Sequence, residues 1–358
     1  MKIPMAKPDI GKEEILAVNN VLKSGWLGQG KVTKLFEKDL GKYFDSQVVT
    51  VNSGSSAILC ALLGMGIKPA DVVAVPAFTF LSTSSVPKIL GAKIIPVDID
   101  KNTLNMDLNK LEEILEKQKI DFLIFVDVGG LPNDIDRIYK LSKKYNFKIL
   151  EDAAEAIGSV YKNKKIGSFS HPTIFSFHIA KLITTIEGGC ITGKNKTFIK
   201  KISAIKDIGR EKPGYVHQYI GSNFRTTDVQ SAIGREQLKK IEKYVEKRNN
   251  IADKYRNEIN SIDFQSIPSY VSRNGYMFFF GIAKNKKQQK KILDCLINKK
   301  IDSRKAWIPV NLQPCNPELG KYKCKNAEEI YNRVFTIPIY NTIRDFEVNK
   351  IIKIINSV

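Results

Sequence analysis

The chain has 358 residues, of which 43% are hydrophobic and 26% charged, so it is long enough for one large globular domain with a smaller one. Five scattered cysteines and three histidines argue against both a disulfide framework and a metal site. No apolar run is long enough to span a bilayer, and residues 1–14 lack the apolar core of a signal peptide, so we expect a cytoplasmic protein without a membrane partner.

The net charge of +20 raises the question of whether the chain binds nucleic acid. Its lysines are dispersed along most of the chain and are densest at 284–291, without interleaved aromatic residues or a nucleic-acid motif. We therefore expect no nucleic-acid partner. Instead, the charge favours a general attraction for anionic ligands such as nucleotide diphosphates.

The first predicted elements are two amphipathic helices, at 12–23 and 33–44. The loop between them, GWLGQGK (25–31), resembles a phosphate-binding GxxxxGK[ST] loop, but Val32 stands where that loop needs a hydroxyl group. It also follows a helix rather than a strand. We interpret it as a flexible loop that could border a site, with Lys31 as a candidate substrate contact.

A strand, a turn of small residues and a helix are predicted over 47–66. The turn at 52–56 places Ser55 and Ser56 at the start of the helix, where free backbone N–H groups and two hydroxyls could hold a phosphate. An ordinary serine cap on the helix explains the same residues equally well.

The chain then alternates between apolar strands and amphipathic helices. Strands are predicted at 71–76, 92–98, 121–127 and 147–152, and helices at 82–90, 107–118 and 134–145. Continuous apolar strands separated by helices indicate a mostly parallel sheet covered on both faces. Ligands on such sheets bind at the carboxyl ends of the strands, which places Phe78–Phe80, Asp127 and Asp152 at one edge. Asp152 could also simply cap the next helix.

Two further strands, at 173–177 and 189–192, flank Lys181. One long helix is predicted over 228–259. Beyond it we expect a strand at 275–283 and helices at 286–298 and 344–357, which indicates a smaller α+β domain. The predicted domains are therefore 1–240 and 241–358.

Lys181 stands between Ala180 and Leu182 in an otherwise apolar stretch. Such a setting favours the neutral amine that attacks carbonyl groups. The alternative is a lysine whose stem packs on the edge of the core while its ammonium group reaches water. This stretch alone does not decide between them.

Three features together indicate a cofactor. A pyridoxal phosphate enzyme needs a lysine that bonds covalently to the cofactor aldehyde, a carboxylate that keeps a proton on the ring nitrogen, and donors for the phosphate. Lys181, Asp152 and the turn at Ser55 and Ser56 meet these needs at one predicted edge of the sheet. The conjunction predicts pyridoxal 5'-phosphate.

The chain also resembles the DegT/DnrJ/EryC1/StrS family of sugar aminotransferases, from GWLGQG near residue 25 to WIPVNLQP at 307–314. The matching motifs are NSGSSA (52–57), PAFTF (76–80), EDAAEAIGS (151–159), SFHIAKLITTIEGG (176–189) and GSNFRTTDVQSAIGREQL (221–238). The resemblance implies an α/β protein of fold type I, with a mostly parallel mixed sheet between helices and a smaller α+β C-terminal domain.

The resemblance also implies roles for individual residues. Lys181 would carry the cofactor and shuttle the proton, and Asp152 would pair with the ring nitrogen. The remaining implied cofactor contacts are Phe80, which stacks on the ring, Glu155 near the phenolic oxygen, and Ser55, Ser56 and Ser176 at the phosphate. Asn223 would complete the phosphate site of a neighbouring subunit, which implies a homodimer with shared active sites. His178, Arg225, Arg304 and Trp307 are candidate substrate contacts.

Three positions depart from the family pattern. Ile186 stands where glycine is usual before Glu187-Gly188-Gly189, so we expect the backbone of that turn to differ. Glu155 replaces a glutamine or histidine, and Asn311 replaces a histidine. Enzymes that make perosamine-like products resemble this chain at the position of Glu155, which favours a 4-keto-6-deoxy sugar.

The resemblance implies transfer of an amino group from an amino acid, L-glutamate, to carbon 4 of a nucleotide-diphosphate keto sugar, for amino-sugar and surface-polysaccharide synthesis. One alternative is a dehydratase on the same fold, in which histidine replaces the cofactor lysine; Lys181 favours transamination. The other is a basic, non-catalytic binding protein, whose activity would survive loss of Lys181.

Overall fold

The computed structural model describes residues 2–358 and is built around a seven-stranded sheet. The strands of the chain are β1 (Gln47–Val51), β2 (Val72–Pro76), β3 (Lys93–Val97), β4 (Phe122–Val126), β5 (Lys148–Asp152), β6 (Val160–Tyr161), β7 (Lys164–Lys165), β8 (Thr173–Ser176), β9 (Gly189–Gly193), β10 (Asp263–Phe264), β11 (Val271–Arg273), β12 (Phe279–Ile282) and β13 (Val334–Ile337). The large sheet has the order β1-β9-β8-β5-β4-β2-β3, and only β9 runs antiparallel to its neighbours. The predicted α/β class with a mostly parallel mixed sheet is confirmed.

Helices cover both faces of this sheet. The helices of the chain are α1 (Lys12–Ser24), α2 (Lys31–Phe44), α3 (Gly54–Met65), α4 (Ser82–Ile89), α5 (Leu108–Leu115), α6 (Ile135–Tyr145), α7 (Lys196–Lys206), α8 (Asp228–Lys239), α9 (Ile241–Glu258), α10 (Lys286–Asn298), α11 (Lys325–Tyr331) and α12 (Asp345–Asn356). Strand residues alternate between the two layers: Ile124 packs in the cluster that includes α3 and α7, whereas Leu123 and Phe125 pack with α5 and α6. Burial on both faces explains why the strands are apolar throughout.

The single helix predicted over 228–259 is wrong, because α8 and α9 meet at Lys240. Lys240 ends one helix and begins the next, with φ −96° and ψ −4°. Its ammonium group lies 2.8 Å from Glu14 of α1, and Gln237 of α8 also donates to Glu14. Packing of α8 against α1 therefore ends the helix where no glycine or proline marks it.

Two other features were not predicted. Helix α7 lies between β9 and α8, and Asn195 caps it by accepting a hydrogen bond from the backbone of Phe198. A small sheet joins β11 to β6 and β7, so a segment from the C-terminal third pairs with a hairpin that follows β5. Strands of two or three residues carry too little periodic pattern to be recognised.

The C-terminal part has its own antiparallel sheet, β10-β12-β13, and its own apolar core. That core includes Ile3, which pairs with Ile301 and is 3% exposed. Residues 2–9, the N-terminal arm, therefore attach to the C-terminal part at one end. At the other end the carbonyl of Asp9 accepts a hydrogen bond from Gln237 in α8, at 2.7 Å. The division into domains 1–240 and 241–358 stays a prediction.

Between residues 2 and 358, no helix combines the length and apolar character that crossing a bilayer requires. The same residues contain no group of three or more histidine, cysteine, aspartate or glutamate side chains arranged to hold a metal ion.

Candidate active site

A cavity of about 550 Å³ opens at the carboxyl ends of β4, β5 and β8. One side, the sheet wall, consists of residues between 53 and 187 that belong to or follow strands of the large sheet. The opposite side, the C-terminal wall, consists of residues 277–336 together with Met5 of the N-terminal arm. The cavity thus lies between the large sheet and the C-terminal part of the chain, at the edge predicted from the strand pattern.

Asp152 is the last residue of β5 and is 5% exposed at the floor of the sheet wall. Its carboxylate accepts a hydrogen bond from the Thr83 hydroxyl at 2.8 Å and one from the backbone N–H of Ala154 at 3.2 Å. Burial raises the pKa of Asp152, while these two donors and the charge of Lys181 lower it. An ionised carboxylate in this position therefore favours a nearby cation, as a protonated ring nitrogen would be.

Lys181 lies on the connection between β8 and β9, residues 177–188, which we name the lysine turn. Backbone hydrogen bonds from Phe177 to Gly188 and from Thr185 to Phe177, at 2.8 and 2.9 Å, close this turn. The Lys181 side chain is 15% exposed, and its amine lies 3.9 Å from Glu155. The structure therefore places the predicted lysine inside the cavity, beside the predicted carboxylates.

Glu155 is fully enclosed by the sheet wall, and the backbone N–H of Gly129 donates to its carboxylate at 2.9 Å. Burial raises the pKa of Glu155 to about 7, although the ammonium of Lys181 and the Gly129 N–H act in the opposite direction. The carboxyl group is thus able to give or accept a proton near neutral pH. A protonated carboxyl can donate a hydrogen bond to an anionic oxygen, the property its predicted position requires.

The start of α3 borders the cavity with several hydroxyl groups. Ser53 caps the helix, because its hydroxyl accepts a hydrogen bond from the backbone of Ser56 at 3.1 Å. Ser55 is exposed to the cavity and lies 2.7 Å from the hydroxyl of Ser82, and Ser176 at the end of β8 faces Gly54. A Cβ atom on Gly54 would lie 3.0 Å from Ser176, so glycine permits this close approach. The arrangement suits a phosphate group.

Not every predicted phosphate contact faces the cavity. The hydroxyl of Ser56 lies 2.9 Å from that of Ser53, and Ser56 is not part of the cavity wall. The helix thus does have a serine cap, but the cap is Ser53; Ser56 bonds to that cap, whereas Ser55 faces the cavity. Ser82 and Thr83 were not predicted, because their positions depend on how α4 packs across the strand ends.

An aromatic ring and a histidine stand on the sheet wall near Lys181. Phe80 is 59% exposed and lines the cavity, where its ring face is available for stacking. The Nδ1 atom of His178 accepts a hydrogen bond from the backbone of Ala180 at 3.2 Å, which leaves the proton on Nε2 when the ring is neutral. That Nε2 lies 3.6 Å from Glu187, also in the cavity wall.

The C-terminal wall combines aromatic and cationic side chains. Trp307 packs edge-on against Phe278, with ring centroids 5.9 Å apart, and both line the cavity. The Arg304 side chain is 60% exposed and lies 3.1 Å from Asp302. Lys305 lines the same wall with its ammonium group over the ring of Tyr331. This side therefore offers cations and an apolar surface to a ligand.

Besides Ser56, three predicted residues lie outside the cavity of their own chain. Lys31 is the first residue of α2, and Arg225 is paired with Asp207 at 2.5 Å. Asn223 is exposed, and its backbone carbonyl accepts a hydrogen bond from Asn52 at 3.4 Å. Within one chain, these side chains therefore do not line the cavity that contains Lys181.

The structure also locates two departures from the family pattern. Ile186 adopts φ +72°, a left-handed conformation natural to glycine and strained for a β-branched residue. The expectation that this turn has a different backbone from that of its relatives stays a prediction. The Asn311 side chain is buried, away from the cavity wall, and donates to Glu328 and to the carbonyl of Tyr322.

Comparisons with known proteins agree over almost the full length. The model of the DegT/DnrJ/EryC1/StrS aminotransferase family matches residues 8–356. UDP-4-amino-4,6-dideoxy-N-acetyl-beta-L-altrosamine transaminase of Campylobacter jejuni is 33% identical over 94% of this chain and 92% of its own. GDP-perosamine synthase of Escherichia coli O157:H7 is 31% identical over 99% of this chain and 98% of its own. Spr1654 of Streptococcus pneumoniae, solved in its PLP form, is 26% identical with a TM-score of 0.92, covering 100% of this chain and 98% of that one.

Proposed function

Because this chain belongs to the DegT/DnrJ/EryC1/StrS aminotransferase family, whose members depend on pyridoxal 5'-phosphate, we propose that it aminates a nucleotide-linked sugar. The specific reaction is transfer of the amino group of L-glutamate to carbon 4 of a nucleotide-diphosphate 4-keto-6-deoxy sugar. The observation that carries the proposal is the convergence of Lys181, Asp152 and Glu155 in one cavity, with the Lys181 amine 3.9 Å from Glu155.

The residues present fit the cofactor. Bound there, pyridoxal phosphate would supply an electron-accepting ring that stabilises negative charge on the substrate carbon. Asp152 would hold the proton on the ring nitrogen, and the start of α3 with Ser55 and Ser176 would bind the phosphate. Phe80 would cover the ring, and Lys181 would anchor the cofactor and then move the proton between its own amine and the substrate.

The substrate class is supported by the names of the relatives and by the C-terminal wall. The names of the two relatives refer to a GDP-linked and a UDP-linked amino sugar. They share the diphosphate but differ in the base, so they support a nucleotide diphosphate without selecting its base. Arg304 and Lys305 provide positive charge at the cavity for such a diphosphate, in a chain of net charge +20. The product would be an amino sugar for a surface polysaccharide, made in the cytoplasm, which cell fractionation would test.

We further propose a homodimer in which Asn223 completes the phosphate site of the partner subunit. Asn223 is exposed, and the segment before it carries bare apolar side chains: Tyr215 is 96% exposed and Ile220 is 89% exposed. Trp26 of the loop at 25–30 is 63% exposed as well. Covering such surface is a common reason for subunits to associate.

The test of the reaction is direct. The protein, loaded with pyridoxal phosphate, is incubated with L-glutamate and with GDP-, UDP- and dTDP-linked 4-keto-6-deoxy sugars in parallel. We expect release of 2-oxoglutarate and, by mass spectrometry, a sugar amine from at least one nucleotide series. Deoxygenation of a sugar without 2-oxoglutarate would instead identify the dehydratase.

The shared site has its own test, which mixes two inactive variants. Lys181→Ala and Asn223→Ala subunits are unfolded together and refolded as mixed dimers. In each mixed dimer one site contains an intact lysine and an intact partner asparagine, so activity should return. Sites contained within one chain would leave the mixture no more active than its two components.

A further inference from the structure

Arg248 of α9 is the largest of the fully buried side chains, at 1% exposure, yet it has no carboxylate partner. Within residues 2–358, no aspartate or glutamate oxygen lies within 4.0 Å of its guanidinium group. Burial accordingly lowers the pKa of Arg248 to about 9. Burying a charge without a counter-ion destabilises the folded state unless hydrogen bonds satisfy the charge. The stability of this region therefore depends on the groups that accept hydrogen bonds from Arg248.

Those acceptors lie on two separate segments. Nη1 of Arg248 donates to the carbonyl of Tyr276 at 2.9 Å, immediately before Met277 of the C-terminal wall. Tyr276 has φ +47°, a strained conformation for a tyrosine, and its own N–H donates to Asn274 at 2.8 Å. The guanidinium group therefore helps to hold the bend that brings Met277 and Phe278 into the cavity wall.

The second acceptor leads to the lysine turn. Nε of Arg248 donates to the side-chain oxygen of Asn341 at 2.9 Å. The amide nitrogen of Asn341 in turn donates to the carbonyl of Leu182, also at 2.9 Å, and Leu182 directly follows Lys181. Both side chains are buried, at 1% and 6% exposure, so water does not compete for these bonds.

We propose that Arg248 and Asn341 form a clamp that sets the distance between Lys181 and the C-terminal wall. The clamp links α9, the bend at Tyr276 and the lysine turn through three hydrogen bonds. Both are positioning residues, since neither lines the cavity. The clamp rests on the proposed role of Lys181, and it predicts that its loss slows the reaction of bound substrate rather than weakening substrate binding.

Asn341→Asp separates this role from a merely structural one. The carboxylate keeps the acceptor for Arg248 and supplies the counter-ion that Arg248 lacks, so the folded state should be no less stable. It removes the N–H that holds the Leu182 carbonyl, and it sets an oxygen against that carbonyl instead. The lysine turn is then released at Leu182, while Arg248 stays paired with the side chain at position 341.

The first measurement is hydrogen exchange on the cofactor-free protein, followed by mass spectrometry of peptides covering 177–188. We expect exchange of the hydrogen-bonded amides in this turn, such as those of Lys181 and Thr185, to accelerate by about tenfold in Asn341→Asp. Peptides from α10 and β13 should exchange as in the wild type. On the loaded enzyme, kcat should fall by about tenfold with little change in the sugar KM.

Gln289→Met is the matched control. Gln289 is also fully buried and donates to two backbone carbonyls, those of Tyr331 and Val334. Within residues 2–358 it makes no hydrogen bond to the lysine turn or to Arg248. This variant should lose thermal stability without altering exchange at 177–188 or kcat. A similar response of the turn to Gln289→Met and to Asn341→Asp would overturn the clamp, because general loosening would then explain both.

Wild-type exchange at 177–188 in a folded Asn341→Asp protein would also overturn it. If that variant does not fold, Arg248→Lys carries the same test, because lysine keeps the charge but cannot bond to Asn341 and Tyr276 in the same fixed geometry. The exchange result does not depend on catalysis. If exchange at 177–188 accelerates in Asn341→Asp but the wild-type protein aminates no sugar, the clamp is supported and the proposed function is rejected.

Discussion

The two walls of the cavity differ in how their polar groups are held. On the sheet wall, Asp152 is fixed by Thr83 and Ala154, and Glu155 by Gly129, and both carboxylates are buried. On the C-terminal wall, the Arg304 side chain is 60% exposed, and within residues 2–358 its one ion-pair partner is Asp302. The difference teaches that the carboxylates of the sheet wall are preorganised, whereas the Arg304 side chain of the C-terminal wall is free to adjust to a ligand.

The largest effect should come from the sheet wall. Lys181→Ala removes the amine that is proposed to anchor the cofactor and move the proton, so we expect kcat to fall by at least about 10³-fold. Borohydride treatment of the loaded protein should no longer attach the cofactor to the chain, as mass spectrometry of the peptide covering 177–188 would reveal. Retained activity would end the distinction between the two walls.

Glu155→Gln tests whether the buried carboxyl on the sheet wall is held near its protonated form. The pKa rises from an ordinary 4.5 to about 7 on folding, so the folded chain holds a proton that the unfolded chain releases between these values. This contribution to stability is complete below pH 4.5 and is lost as pH rises through about 7. Relative to Glu155→Gln, the wild type should therefore lose up to about 3 kcal/mol across that window.

Urea unfolding of the cofactor-free proteins at several pH values between 4.5 and 8 measures this difference. Glu187→Gln removes an exposed carboxylate from the same cavity and controls for the loss of one charge. The groups that face Glu155, namely Lys181, Asp152 and the Gly129 N–H, are unchanged in both variants. A pH-independent gap between Glu155→Gln and the wild type would contradict the assignment.

Arg304→Ala should have a smaller effect of a different kind. Its exposed guanidinium group is proposed to meet the diphosphate, so its loss should raise the KM for the nucleotide sugar by about tenfold and leave kcat nearly unchanged. Added salt should narrow the gap between variant and wild type, since it screens exposed charges. An equal fall in kcat would show that Arg304 affects the chemical step as well as substrate binding, which would contradict the distinction between the two walls.

Ile186→Gly should have the smallest effect, and it should be favourable. Ile186 is 53% exposed at φ +72°, so little burial is lost when the strained left-handed conformation is given to glycine. We expect a gain of about 0.5–1 kcal/mol in unfolding free energy, the relief of strain less the extra entropy of glycine in the unfolded chain. Thermal unfolding measures the gain, and Ile186→Val, which keeps the strain, should show none.

Much of the sheet wall could be predicted from sequence because its signals are local. The apolar runs set the strands, and their ends put Asp152 and Phe80 at one edge, while the apolar neighbours of Lys181 set it apart from surface lysines. Thr83 was not predicted because it lies 69 positions from Asp152 along the chain, and their contact depends on the docking of α4. The contact of Gly129 was not predicted for the same reason, since its N–H reaches Glu155 only in the folded protein.

The C-terminal wall was harder to predict for a physical reason. Trp307 was named from a family motif and Arg304 from the excess of basic residues, but Met5 joins them because the N-terminal arm pairs with Ile301. Arg248 stands in a helix rich in charged residues, EKYVEKRNN, and nothing in that pattern separates it from the exposed lysines nearby. Arg248 is buried because other segments pack over α9, and the residues next to it in the sequence do not indicate this packing.

The N-terminal arm ties the rim of the cavity to two distant parts of the protein. Ile3 is buried beside Ile301, Met5 stands in the cavity wall, and the carbonyl of Asp9 is held by Gln237. Cutting one peptide bond in this stretch would detach a side chain from the cavity and loosen a core contact at once. Resistance of the N-terminal arm to a protease should therefore show whether the cavity is intact in a preparation, and this assay needs no substrate.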